Sequence, residues 1–197
     1  MARVAKETVS ENNSFLTITP ITNSEQSVFN DVIVENFSDT YAINTQPQVV
    51  FGRTDPIRTY SNTERTIVFG ILAKSDTAAE AVTNFNNLQS IIRGSYPVYS
   101  SADRALRTPP LVRVFMAGYI EEDGNAITGY FDDIKFDYAD ADGYGNIPHM
   151  TRESNTLVPR FYRLNFTFHP IHAGVKGFND AGIIDATFPY GGPLASF

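Results

Sequence analysis

The sequence contains no cysteine and no tryptophan. The first absence excludes disulfides and thiolate metal sites, and it fits assembly in a reducing cytoplasm. The second counts against a sugar-stacking platform, although Tyr and Phe are plentiful. No window approaches the ~18 consecutive apolar residues of a membrane-spanning helix. Met1–Asn13 is polar and lacks the apolar run of a secretory signal. There is no phosphate-binding Gly-Lys-Ser/Thr loop and no serine in a nucleophile elbow. Basic residues are the scarcer charge: 15 Lys and Arg against 22 Asp and Glu give a formal net charge of −7. Such a chain gains no counterion-release affinity for nucleic acid, but it can lie beside nucleic acid and repel it.

What remains is a globular composition, with 42% hydrophobic and 19% charged residues in 197. That suits one domain, 1–197, with a sizeable core. Pro and Gly are scattered, which suggests many turns, and neither an internal repeat nor a linker is visible. Residues 1–13 read as a flexible arm. Residues 173–197, rich in Gly and Pro, read as an extended tail that packs on something else.

Strand patterns dominate between them. Phe15–Thr19 is a short β-branched run, and Val28-Phe29 with Val32-Ile33-Val34 forms a second, interrupted at Asn30-Asp31. Arg65–Ala73 is apolar on both alternating faces, which predicts a central strand buried on both sides. Leu111–Met116 and Ile127–Tyr138 flank Asp123-Gly124, a hairpin dipeptide. In Arg160–His169, Tyr162, Leu164, Phe166 and Phe168 share one face. One helix interrupts the pattern, between about Asp76 and Arg93. Thr77 and Glu80 have capping-box spacing. Ala81, Val82, Phe85, Leu88 and Ile92 form its apolar stripe. Gly94 is the expected stop, and Pro97 prevents continuation. The predicted class is mainly β, a β-sandwich or part-barrel, with one principal α-helix.

Few residues suggest chemistry. His169 and His172 have the spacing of a metal pair, but zinc needs further ligands and no cysteine is available. Two polar residues closing a strand is the preferred reading, and no metal or cofactor is expected. Asp140-Ala141-Asp142-Gly143 looks like part of a calcium loop. The EF-hand register would place ligands at Tyr138 and His149, and both fail. Asp132 and Asp133 are adjacent, so on a strand they cannot face each other as a catalytic pair.

One charge feature stands out. Between Glu121 and Asp142 there are eight acids and a single base, Lys135. A solvated hairpin edge protected by charge is the plain reading; a surface that repels a polyanion or accepts a basic partner is the functional one. Strict alternation puts Phe131, Asp133, Lys135 and Asp137 on one side. It puts Tyr130, Asp132, Ile134, Phe136 and Tyr138 on the core side, with Asp132 near a strand end or partnered.

Phe51–Ile67, which reads Phe-Gly-Arg-Thr-Asp-Pro-Ile-Arg-Thr-Tyr-Ser-Asn-Thr-Glu-Arg-Thr-Ile, resembles small baseplate and tail-tube proteins of contractile-tailed bacteriophages, especially the tube-initiator group. The likeness continues through the helix into Tyr96-Pro97. It resumes at Pro109–Val114, at Gly129-Tyr130 and from Val158 to Phe168. No single motif is diagnostic; the ordered series carries it. Locally, Asp55-Pro56 and Asn62-Thr63 suggest turns. Arg53 and Arg65 could pair with Asp55 and Glu64, as a loop between strands or as a subunit contact.

The resemblance implies a tail-tube fold in a sixfold homo-oligomeric ring, with neighbouring sheets joined around a lumen through which DNA passes without specific binding. It implies adjacent tail-tube and baseplate hub proteins as partners, a place in the virion after assembly in the host cytoplasm, and no enzymatic activity. In that setting Asp133 and Asp137 are the candidate lumen-facing acids. Arg53, Asp55 and Arg65 form the candidate subunit-contact loop. A repeating tube or terminator protein of the same fold is the near alternative. A carbohydrate-binding β-sandwich or a hydrolase of the tail is the one from another class.

Overall fold

The alternation of Tyr162, Leu164, Phe166 and Phe168 is realised as the spine of a seven-stranded antiparallel sheet, with all four side chains buried. In this computed structural model the described residues are 15–22, 26–29, 32–99, 106–122, 125–138, 150–153, 156–172, 174, 176–180 and 182–184. The elements are β1 (Leu16–Pro20), β2 (Ser27–Phe29), β3 (Val32–Gln48), β4 (Ile57–Lys74), α1 (Ala78–Gly94), β5 (Val98–Tyr99) and β6 (Leu106–Thr108). There follow β7 (Val112–Met116), β8 (Ile127–Tyr138), β9 (Met150–Glu153), β10 (Thr156–Pro159), β11 (Phe161–Pro170), β12 (Phe178–Asn179) and β13 (Gly182–Ile183). The main sheet runs β2-β1-β7-β8-β11-β4-β3, and β5/β6, β9/β10 and β12/β13 form separate two-stranded pairs. The class is mainly β with one helix among the described residues. That helix is not long and apolar enough to cross a membrane.

Only one face of the main sheet is covered. Ile67, Phe69 and Ile71 of β4 pack with Leu164, Phe166 and Phe168 of β11. Phe69 and Phe166 stack with ring centroids 4.9 Å apart. The sheet curls: Phe37 of β3 meets Tyr119, beyond β7, at 5.1 Å, and Tyr119 meets Phe15 at 6.4 Å. The expectation that β4 is buried on both sides is therefore corrected. Val68 is exposed and Leu72 only half-buried, because nothing among the described residues covers that face.

Helix α1 starts as the capping box requires. The Thr77 hydroxyl accepts from the Glu80 N–H at 3.2 Å, and the Glu80 carboxylate accepts from the Thr77 N–H at 3.2 Å. Its buried face is Ala81, Leu88 and Ile91, with Phe85 half-buried against the core and Ile92 exposed. The expected stripe is thus rotated toward Asn84 and Asn87. The Asn87 amide donates to the Val28 carbonyl at 2.7 Å, and the Asn84 amide donates to the Ser75 hydroxyl at 3.0 Å. Two asparagines bonded to strand ends can sit at an interface that apolar counting assigns elsewhere. Gly94 is the last helical residue and Ser95 the cap, in αR conformation. A side chain at Gly94 would collide with Pro20 of β1, so this glycine permits close packing rather than a left-handed stop.

Candidate functional site

The largest departure from the sequence reading is an arm. β3 and β4 pair from Val32↔Ala73 to Gln48↔Ile57, and every residue from Tyr41 to Glu64 is exposed. At about 3.4 Å per residue, the ribbon beyond Tyr41 reaches roughly 25 Å from the body. Asn62-Thr63 is therefore not a turn but part of β4, where the register slips at Asn44/Thr45 and leaves Ser61 as a bulge. The reversal lies at 49–56, where Gly52 has φ +84° and Arg53 N–H donates to the Val50 carbonyl at 3.2 Å. The positive φ suits glycine alone among ordinary residues.

Register gives the arm two faces. Tyr41, Ile43, Thr45 and Pro47, with Thr63, Tyr60 and Arg58 opposite, continue the core face. The Tyr60 and Thr63 hydroxyls bond at 2.9 Å, which confirms that the bulge restores them to one side. Thr40, Ala42, Asn44, Gln46 and Gln48, with Glu64, Asn62 and Thr59, continue the open face. Ile43 is 69% exposed, Tyr60 60%, and Phe51 at the tip fully so. Pro47, which cannot donate to a ladder, sits on the edge strand, where it is tolerated.

The arm is rooted on a buried ion pair. Arg65 Nη2 lies 2.8 Å from Asp39 Oδ2, Nε donates to both carboxylate oxygens at 3.1 and 3.2 Å, and both side chains are 3% exposed. The guanidinium also lies 5.5 Å from the Tyr41 ring centroid. The expected pairing of Arg65 with Glu64 is corrected: Glu64 instead accepts from the Asn62 amide at 3.0 Å. Adjacent strand residues point to opposite faces, so Arg65 and Glu64 cannot meet. Arg65 is thus parted from Arg53 and Asp55, which are exposed at the arm's tip.

Over the root lies a second charged group. Lys176 pairs with Glu122, and His172 Nδ1 is 3.9 Å from a Glu122 carboxylate oxygen. The imidazole of His172 is held below its ordinary range by burial first, then by the nearby Arg65 cation and Lys176, with Glu122 opposing. Asp123 and Gly124 lie outside the described residues. On either side of them Glu122 and Asn125 exchange two backbone hydrogen bonds of 2.9 Å.

The open face of the sheet is polar. Three cross-strand rows run Ser38–Val68–Thr167–Asp133, Asn36–Gly70–Asn165–Lys135 and Ile33–Leu72–Arg163–Asp137. Gly70 leaves room for the flanking Asn36 and Asn165 side chains. Arg163 donates to Glu35 at 2.8 Å, and Lys135 pairs with Asp137 at 2.8 Å, which raises the Lys135 pKa chiefly through that hydrogen bond. Asp133 and Asp137 therefore share this face, as alternation predicts. The acid excess of the segment does not carry over to it: Lys135 and Arg163 balance two of the carboxylates, and Arg163 comes from a different strand. Of the remaining acids, Asp140 and Asp142 lie outside the described residues, as do His149 and residues 1–14 and 185–197.

A bulge corrects the strict alternation in β8. Thr167 pairs with Asp133 but Phe168 pairs with Phe131, so Asp132 is an extra residue. Phe131 is thereby turned into the core, 5.0 Å from Phe166, and Asp132 out of it. On the outer side Asp132 lies 4.0 Å from His169 Nε2, Tyr130 stacks on His169 at 5.1 Å, and the Thr66 hydroxyl is 3.3 Å from His169 Nδ1. His169 and His172 thus face different neighbours and do not form a pair. Among the described residues no cluster of three or more metal-ligating side chains occurs.

No family model and no curated protein matches the chain. Solved structures similar to it include the SPP1 Dit protein, described as a paradigm of the hub adsorption apparatus in phages infecting Gram-positive bacteria. The match has a TM-score of 0.39 and 9% identity, and covers 79% of this chain and 49% of that one. The chain thus spans about half the length of that protein. A chain from the tail of an empty GTA particle, refined with C6 symmetry, is similar at a TM-score of 0.36 and 10% identity, covering 84% of this chain and 96% of that one.

Proposed function

We propose that the chain is a structural subunit of a phage tail, assembling as a sixfold ring that initiates or continues the tail tube at the baseplate and encloses the DNA channel. The observation that carries this reading is the main sheet: one face packed, the other polar and uncovered, with open edges at β2 and β3. Open edges invite pairing with another chain, and closing a ring of copies removes them. A wet face of amides, hydroxyls and compensated charges suits a wall past which a polyanion must slide without sticking. The ordered resemblance through Phe51–Phe168 supports the same assignment. On this reading Asp133 and Asp137 face the lumen, and Arg53 and Asp55 contact a neighbour at the arm's tip. Tube and hub proteins stack above and below, and the subunit acts in the virion without catalysis or cofactor.

Electron microscopy of the assembled protein tests the proposal. Sixfold rings are expected, and a particle that remains monomeric at assembly concentrations overturns it. Labelling the subunit within intact tails separates the initiator position from a repeating tube or terminator position.

A further inference from the structure

The arm has a face that its own chain leaves uncovered. Tyr41, Ile43, Pro47 and Tyr60 continue the side of the sheet that is buried in the body, yet all are exposed beyond the Arg65–Asp39 root. The opposite side, Asn44, Gln46, Gln48 and Asn62, is suited to water. A two-stranded ribbon is marginal in water alone and needs packing on one face. The stretch from Tyr41 to Glu64 is close to the roughly 20–30 residues a side of a standard protein interface.

We propose that this apolar face is covered by a second copy of the chain, on the surface of α1's C-terminal end formed by Ile92, Tyr96 and Tyr99. The inference rests on the ring reading, and two observations select the occupant and its surface. The arm is the extension of β3, an edge strand, so a copy joined at that edge lies along the arm. A head-to-tail neighbour turns its other side, that of β1 and β2, toward β3. On that side α1 packs against β1 and β2, and Gly94 abuts Pro20. Ile92, Tyr96 and Tyr99 are the large apolar side chains exposed at this end of the helix. The aromatic residues of arm and acceptor give such a contact its buried centre, since aromatic anchors are enriched at interface cores.

The absence of cysteine permits a direct test on the full chain. Tyr60→Cys combined with Tyr96→Cys should give a ladder of disulfide-linked multimers under mild oxidation, and either substitution alone should give none beyond a trace of dimer. Asn62→Cys with Tyr96→Cys, which uses the wet face of the arm, should give much less. Ile43→Asn should abolish the oligomer while leaving the thermal transition of the monomer in place, because Ile43 touches no core residue. Sixfold rings that form without Tyr60–Tyr96 cross-links overturn this interface and leave the ring reading standing. Equal cross-linking from both arm faces overturns the assignment of faces. Absence of both rings and cross-links overturns the two together.

Discussion

Arg65 and Asp39 meet at 2.8 Å with almost no solvent on either side chain, at the point where the arm leaves the body. A buried pair of this kind is not by itself a source of stability, because desolvation offsets most of the attraction. Removing one partner is different, since it strands the other charge. Asp39→Ala or Arg65→Ala alone should therefore cost about 3–5 kcal/mol in urea unfolding. The double replacement Asp39→Leu with Arg65→Met should cost much less than the sum of the two. A single-variant loss below about 1 kcal/mol is the behaviour of an exposed pair and would contradict the burial.

The rotation of α1 gives a second test at adjacent positions. Ile91 is buried and Ile92 is exposed. Ile91→Ala should cost about 2–5 kcal/mol through lost burial and a cavity. Ile92→Ala should stay within about 0.5 kcal/mol in the monomer. Phe85→Ala should fall below the roughly 3–5 kcal/mol of a fully buried phenylalanine, because Phe85 is only half-buried. Equal losses at Ile91 and Ile92 would restore the stripe expected from apolar spacing.

These residues show where the sequence is legible. Strands with one packed face carry their own period: β7, β8 and β11 lie within a residue of where alternation puts them. The capping box at Thr77 and Glu80 is equally local. The arm is not legible, because neither of its faces is buried in its own chain and Glu35–Gln48 shows no apolar alternation. Arg65 looks like a surface residue, since its partner Asp39 lies 26 positions away. The bulge at Asp132 has no local mark either. It is specified by the need to bring Phe131 against Phe166 and Phe168. Long-range partners and register slips thus govern what the periodicity leaves out, and they shape both the arm and the open face.

His172 makes stability depend on pH in a definite direction. Its folded-state pKa lies below the ordinary 6.5, chiefly through burial and the Arg65 cation. The unfolded chain therefore binds a proton that the folded chain refuses once pH falls below about 6.5. Stability should be flat in this respect above that value and should decline as pH falls through it. His172→Gln should remove the slope between about pH 7 and 5.5 while leaving the steeper carboxylate-driven loss at lower pH. A wild-type curve already flat over that window would mean that His172 titrates freely. Glu122, Lys176 and Arg65 face the imidazole, so Glu122→Gln should steepen the wild-type slope by removing the one group that favours the charged form.

The lumen assignment makes the last prediction. Asp133 and Asp137 lie on the open face on either side of Lys135, opposite Thr167 and Arg163 of β11. Both are exposed enough that Asp133→Lys with Asp137→Lys should change unfolding free energy by no more than about 1 kcal/mol. The same change converts a compensated row into a run of cations beside Arg163. If this face lines the channel, sixfold repetition places that run around the whole circumference, where passing phosphates would be held by counterion release. Genome ejection from phage assembled with the double variant should then slow or stop, and the defect should ease as salt rises, because such binding weakens steeply with ionic strength. Asp55→Lys, at the arm's tip and away from this face, serves as the charge control and should leave ejection unchanged. Tails that assemble normally and eject at the wild-type rate at low salt would remove Asp133 and Asp137 from the channel wall. Ejection that is slowed but indifferent to salt would point to altered packing of the ring rather than to contact with DNA.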